Sequence, residues 1–177
     1  MTRLWAPLLL SALLAGCAGG APQQGDRRPV AGRAPPPVRT IAVSPAEYVA
    51  RASSASLFII RASELVSERE GPTALGNEAR RLRADHEGIG AQLSFAGRRL
   101  NLLPSSALLP DHRAMLDTLA ASQRPGPAYV QQLKRVLPQI LTLHEQYRRL
   151  GTSATLRPVA AMATPVLNRE VQAIRRF

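Results

Sequence analysis

The sequence predicts an all-α protein built as a bundle of four long helices. Three observations carry that reading. Apolar residues recur at alternating steps of four and three along four separate segments. The segments are bounded by helix start and stop residues. No β-hairpin signal and no internal repeat occurs anywhere, and aromatic residues make up only 4% of the chain, which argues against an all-β sandwich.

Ser44-Pro45-Ala46-Glu47 is a capping box with proline at the first helical position. Tyr48, Ala52, Ala55, Ile59, Ala62 and Val66 follow on one stripe, and Gly71-Pro72 ends this first helix. The second carries Leu75, Ala79, Leu82, His86, Ile89, Leu93, Ala96 and Leu100. After it comes a longer passage with Pro104, Pro110, Pro125 and Pro127, read as a connection holding one short helix over 111–121 with Met115, Leu116 and Leu119. The third long helix runs from Tyr129 through Leu133, Val136, Ile140, Leu143 and Tyr147 to Leu150, with Gly151 as its C′ residue. The fourth places Val159, Ala163, Val166, Glu170, Ala173 and Phe177 on one stripe, flanked by Leu167, Val171 and Ile174. Pro138 and Pro165 fall inside the last two helices, where kinks are expected.

The residues before the bundle read as an address and a tether. Arg3 and the apolar run 4–15 form a signal-peptide core, too short to span a bilayer. It ends Leu14-Ala15-Gly16-Cys17, the lipobox pattern of bacterial lipoproteins, so residues 1–16 are expected to leave and the Cys17 thiol to take diacylglycerol. The competing reading, a plain secretory site with an incidental cysteine, does not explain why the one cysteine of the chain falls at the position that needs it. Stable anchoring takes more than one acyl chain, which a lipidated Cys17 would supply. Ala18 stands where inner-membrane lipoproteins often carry Asp, which favours the periplasmic face of the outer membrane. Residues 17–43 are the lipidated Cys and a disordered linker rich in Pro, Gly and Arg, with no hydrophobic periodicity. Its twenty-six residues after Cys17 reach roughly 85–90 Å extended and about 30 Å as a flexible coil. The bundle domain is residues 44–177.

Composition narrows the chemistry. Of 177 residues, 45% are apolar and 20% charged, enough for a real core. The net charge is +11, and Lys134 is the only lysine, a bias that fits GC-rich coding better than a selected site. One cysteine and three histidines exclude Cys-based zinc sites, iron–sulfur clusters and internal disulfides. There is no Gly-x-Ser-x-Gly elbow, no phosphate-cradling glycine loop and, once Cys17 is acylated, no thiol nucleophile. No catalytic residue is assigned.

Two polar residues interrupt the stripes. His86 and Glu170 occupy seam positions, and Asp85 lies at the edge of the same seam, a possible polar or metal centre of the kind four-helix bundles build from inward Glu and His. The alternative is a buried His and Glu that satisfy each other or nearby backbone. Motif spacing favours the alternative. The residues three before each His are Arg83, Leu109 and Leu141, not the Glu of a di-iron pattern. The fourth residues after His86 and His144 are Gly90 and Arg148, not the second His of a zincin. His112 is placed on the short helix and His144 off the seam. No cofactor is expected beyond the lipid on Cys17, and His86→Leu is expected to be tolerated provided no partner is stranded.

The order of these features resembles a known family. Arg83-Ala84-Asp85-His86 near the middle of the second helix, the Leu103-Pro104 turn, the Tyr129-led third helix and Thr164-Pro165-Val166-Leu167 near the end are similar to the bacterial domain of unknown function 4142 family. The resemblance implies a ferritin-like four-helix bundle with a short extra helix between helices 2 and 3, in a periplasmic or outer-membrane protein. Asp85-His86 matches the family's Asp-His pair. The family's Glu in helix one is Ile59 here, its Asp-His in helix three is Gln139-Ile140, and its His in helix four is Glu170. Those departures remove most of any metal centre the family builds.

The expected function is therefore an outer-membrane-anchored periplasmic lipoprotein whose non-catalytic bundle binds or organises envelope partners. The runner-up is a metal-binding or redox protein of the ferritin-like type using Asp85, His86 and Glu170. Residues 44–177 hold 18 Arg plus Lys against 11 Asp plus Glu. Arg98-Arg99, Arg148-Arg149 and Arg175-Arg176 lie near helix C-termini, where cations offset the helix dipole by about 0.3–1 kcal/mol. Two of these pairs should share the end of the bundle where the basic linker enters, an end expected to touch anionic envelope material such as lipid head groups. Nucleic acid is excluded by export.

Overall fold

Prolines set most of the helix starts. In the computed structural model, which describes residues 43–177, proline occupies the first or second position of four of the five helices. It costs nothing there, because its missing N–H is one of the donors a helix start leaves unpaired. The helices are α1 (Pro45–Glu70), α2 (Ala74–Arg98), α3 (Pro110–Ala121), α4 (Pro125–Leu150) and α5 (Arg157–Ile174), and no strand occurs among the described residues. All belong to the unit Arg39–Phe177. The signal peptide, Cys17 and the linker up to residue 42 lie outside the described residues. No helix among those described is long and apolar enough to cross a membrane.

Local chemistry explains the boundaries. The Ser44 hydroxyl accepts the Glu47 N–H at 3.2 Å, and the Thr73 hydroxyl accepts the Gly76 N–H at 3.1 Å, capping α1 and α2. Gly71 ends α1 at φ 61°, in the left-handed region that glycine enters freely. α2 stops through a residue that sequence reading passed over. Asn101 takes φ 56°, and the Leu102 N–H bonds the Gly97 carbonyl at 2.8 Å, a six-to-one closure that satisfies an orphaned carbonyl.

Three sequence expectations need correction. α4 starts at Pro125, a turn before Tyr129, because prolines in a first turn open a helix as readily as they break one. Gly151 has φ −61° and is not a left-handed cap; a Cβ there would stand 2.6 Å from the Tyr147 ring, so close approach is what requires glycine. Leu150 and Phe177, assigned to buried stripes, are exposed, and Phe177 lies beyond the end of α5.

The four long helices pack around one core that includes Tyr48, Phe58, Leu82, Leu93, Leu133 and Leu167, all fully buried. α1 and α2 form one hairpin, α4 and α5 another. Tyr48 near the start of α1 stacks on Tyr147 near the end of α4 at 3.8 Å, while Ser63 later in α1 meets Tyr129 early in α4, so these helices are antiparallel. Phe95 and Arg99 share a groove with Thr155 and Pro158, and Arg81 shares one with Gln172 and Arg176, so α2 and α5 are antiparallel as well. The starts of α1 and α5 and the ends of α2 and α4 therefore share one end of the bundle.

α3 bridges the hairpins and packs on α1 and α4. Leu119 is its one fully buried side chain, so polar ties hold it in place. At its start the Ser54 hydroxyl accepts the Leu109 N–H at 2.8 Å and pairs with His112 Nδ1 at 2.8 Å. At its end the Arg69 guanidinium donates to the Ser122 and Ala120 carbonyls at 3.2 and 3.3 Å.

Candidate functional site

His86 and Glu170 face each other across the core, from the middle of α2 and the last turns of α5. His86 Nε2–H donates to Glu170 Oε2 at 3.1 Å, and both side chains have zero solvent exposure. On the other edge of the ring, Nδ1 takes the Ser56 hydroxyl of α1 at 3.3 Å. Three helices are thus joined through one imidazole. Glu170 Oε1 is buried with no hydrogen-bond partner.

Asp85 does not join this centre. Its carboxylate turns outward to Arg81, with Nη1–Oδ2 at 2.6 Å, and the same guanidinium grips Glu78. The bond to Glu78 is the main reason the Arg81 guanidinium is held even more firmly protonated than usual. A one-residue step on a helix turns a side chain by about 100°, which separates Asp85 from His86.

A second buried imidazole was missed by sequence. His144 of α4, placed off the seam, is fully buried and pairs through Nδ1 with the Tyr48 hydroxyl at 2.9 Å. The Tyr48 hydroxyl donates in this pair, since the opposite assignment would strand both its own proton and the His144 Nε2 lone pair. Nε2–H is left without a partner. Burial, with the nearby His86 adding to it, pushes the His144 pKa down to about 3, so the ring is neutral at ordinary pH. Burial also raises the Tyr48 phenol well above its usual range, with the nearby Tyr147 adding to it. The signal that would have found His144 is the spacing Val130, Leu137, His144: the buried face of α4 is wider than a single seam. Toward the other end of α4, Tyr129 and Ser63 share a hydrogen bond at 2.6 Å, and burial raises that phenol too.

The ferritin-like resemblance raises the question of a metal, and these residues do not fit one. Among the described residues no group of three or more His, Cys, Asp or Glu side chains is placed to hold an ion. Asp85 is engaged by Arg81, and His144 is engaged by Tyr48. Ile59 and Ile140, both buried in the same core, are apolar and supply no ligand. What remains is one imidazole and one carboxylate already bound to each other.

The arginine pairs divide between the two ends of the bundle. Arg98, Arg99, Arg148 and Arg149 lie exposed at the end where α1 begins, and Arg175 and Arg176 lie exposed at the other. The far end also carries Glu68, Glu70 and Glu78, so its charge is mixed.

Fold and centre together define a class: an all-helical bundle pinned by a closed His–Glu pair. Within it, the chain belongs to the family described as Domain of unknown function (DUF4142), whose model matches residues 31–176. No curated protein and no solved structure matches the chain.

Proposed function

We propose that this protein is a lipoprotein anchored through Cys17 to the periplasmic face of the outer membrane, and that its ferritin-like bundle is a non-catalytic module that binds or organises envelope components. The observation that supports a non-catalytic role is the enclosure of the only buried His–carboxylate pair among the described residues. Both partners have zero exposure, each engages the other, and a substrate would reach them only by parting helices of the bundle. Two hairpins joined by a crossover that runs the length of the bundle are what the ferritin-like arrangement requires. The lipobox Leu14-Ala15-Gly16-Cys17 supports the anchor.

The runner-up, a ferritin-like metal or redox protein, draws on the unpartnered Glu170 Oε1 and His144 Nε2. It lacks the further ligands a competent site needs. The anchor is tested by feeding cells a clickable fatty acid: the wild type should be labelled and membrane-bound, and Cys17→Ser should lose both. Persistent labelling of Cys17→Ser would exclude the lipoprotein reading.

A further inference from the structure

We propose that the end of the bundle formed by the start of α1, the ends of α2 and α4 and the start of α5 is an amphipathic docking surface that seats on an anionic phospholipid surface. The proposal rests on the lipoprotein reading only for the compartment in which that membrane is met.

Three features converge on this end. The first is charge. Segments 44–51, 95–103 and 145–158 contain six arginines and two carboxylates, Glu47 and Glu145. Glu47 is engaged by Arg51 at 3.2 Å. Arg98, Arg99, Arg148, Arg149 and Arg157 are exposed, and among the described residues none pairs with a carboxylate. The helix dipole accounts for cations at the ends of α2 and α4, but Arg157 is the first residue of α5, where the dipole disfavours a cation. An external anion accounts for all five.

The second is apolar exposure. Single exposed apolar residues are ordinary on protein surfaces. Here Phe95, Leu103 and Leu150, exposed by 59%, 67% and 45%, lie at this one end and alternate with the arginines. Phe95 precedes Arg98 and Arg99 by three and four positions on one helical face, and Leu150 follows Arg149 directly. Such an arrangement fits a bilayer interface, with apolar side chains entering the acyl boundary and guanidinium groups extending to phosphates. A purely electrostatic partner would leave the apolar residues unexplained.

The third is connection. α1 begins here, so the chain that precedes residue 43 joins the bundle at this end. An anchor at Cys17, separated from Ser44 by twenty-six residues, would keep this surface close to a membrane.

The test uses the full chain with Trp5→Phe, carrying one tryptophan at Phe95→Trp or, as a far-end control, at Phe177→Trp. Each is reconstituted into vesicles of phosphatidylglycerol and phosphatidylcholine with brominated acyl chains, and into phosphatidylcholine alone. Trp at 95 should be quenched at least about twofold more than Trp at 177 in the anionic vesicles, as an interfacial seat requires. The difference should shrink when salt rises from 0.1 M to 1 M, because the screening length falls from about 10 Å to about 3 Å. It should also shrink when Arg98, Arg99, Arg148 and Arg149 all become Gln. Equal quenching at the two positions, or indifference to lipid charge, salt and these substitutions, overturns the proposal and leaves this end to helix dipoles or a protein partner. Mass analysis of Cys17 in the same samples separates the two readings. Quenching without acylation keeps the docking surface and removes the anchor; acylation without selective quenching does the reverse.

Discussion

Removing His86 alone should be far worse than removing it together with Glu170. His86→Leu leaves a fully buried carboxylate with neither oxygen partnered, and stranding a buried charge costs about 3–5 kcal/mol. The sequence expectation that His86→Leu is tolerated therefore fails on its own condition, because a partner is stranded. The double variant His86→Leu with Glu170→Leu replaces the pair by apolar volume and should fall within about 1.5 kcal/mol of the wild type. Ser56 can then bond a carbonyl of its own helix, as Ser53 does to Val49 at 2.6 Å. Urea unfolding of the single and double variants measures both. His144 predicts a pH effect of definite sign. Its pKa is depressed from 6.5 to about 3 by burial, so between those values the unfolded chain binds a proton that the folded one refuses. This contribution is complete above about pH 6.5 and is lost progressively as pH falls toward 3, by about 1 kcal/mol between pH 6 and pH 5. His144→Gln, whose amide oxygen can still accept from Tyr48, should flatten that part of the curve relative to wild type.

Helix positions were legible in the sequence to the extent that their ends are chemical. Ser44 and Gly71 mark α1 because a hydroxyl cap and a left-handed residue have composition signatures. The end of α2 was less visible, since Asn101 enters the left-handed region only occasionally and gives no reliable stop. The start of α4 was hidden because Pro125 and Pro127 read equally as loop and as first turn. Two glycines of α2 show the same limit. By composition Gly88 and Gly97 are identical costs to a helix, yet their surroundings differ. A Cβ on Gly88 would meet nothing within 4 Å, so Gly88→Ala should stabilise by about 0.5–1 kcal/mol. A Cβ on Gly97 would run into the backbone carbonyl of Leu102, the residue whose N–H closes the helix, so Gly97→Ala should destabilise by about 1–3 kcal/mol. Thermal melts of the two variants should move in opposite directions.

At the scale of the molecule, repeating apolar stripes disclosed an all-helical bundle, and His86 and Glu170 stood out because each is polar on such a stripe. Whether they satisfy each other or nearby backbone was left open by the sequence, because the pairing depends on α2 and α5 running antiparallel, which a crossover decides and a stripe does not. The same crossover places two arginine pairs together and sends the third to the far end. His144 escaped notice because a bundle helix contacts two neighbours and buries more than one seam. The central claim is that the buried pair is a structural pin rather than a ligand site. It is tested most directly by the melting temperature of the full protein, purified without a His tag, as isolated, after chelator, and with added iron, manganese or zinc. A native site at 100 times its dissociation constant would add about 2.7 kcal/mol, a shift of several degrees. The account predicts the same melting temperature in all conditions and no change in that result for the His86→Leu, Glu170→Leu double variant. A metal-dependent rise of several degrees that the double variant abolishes would contradict it.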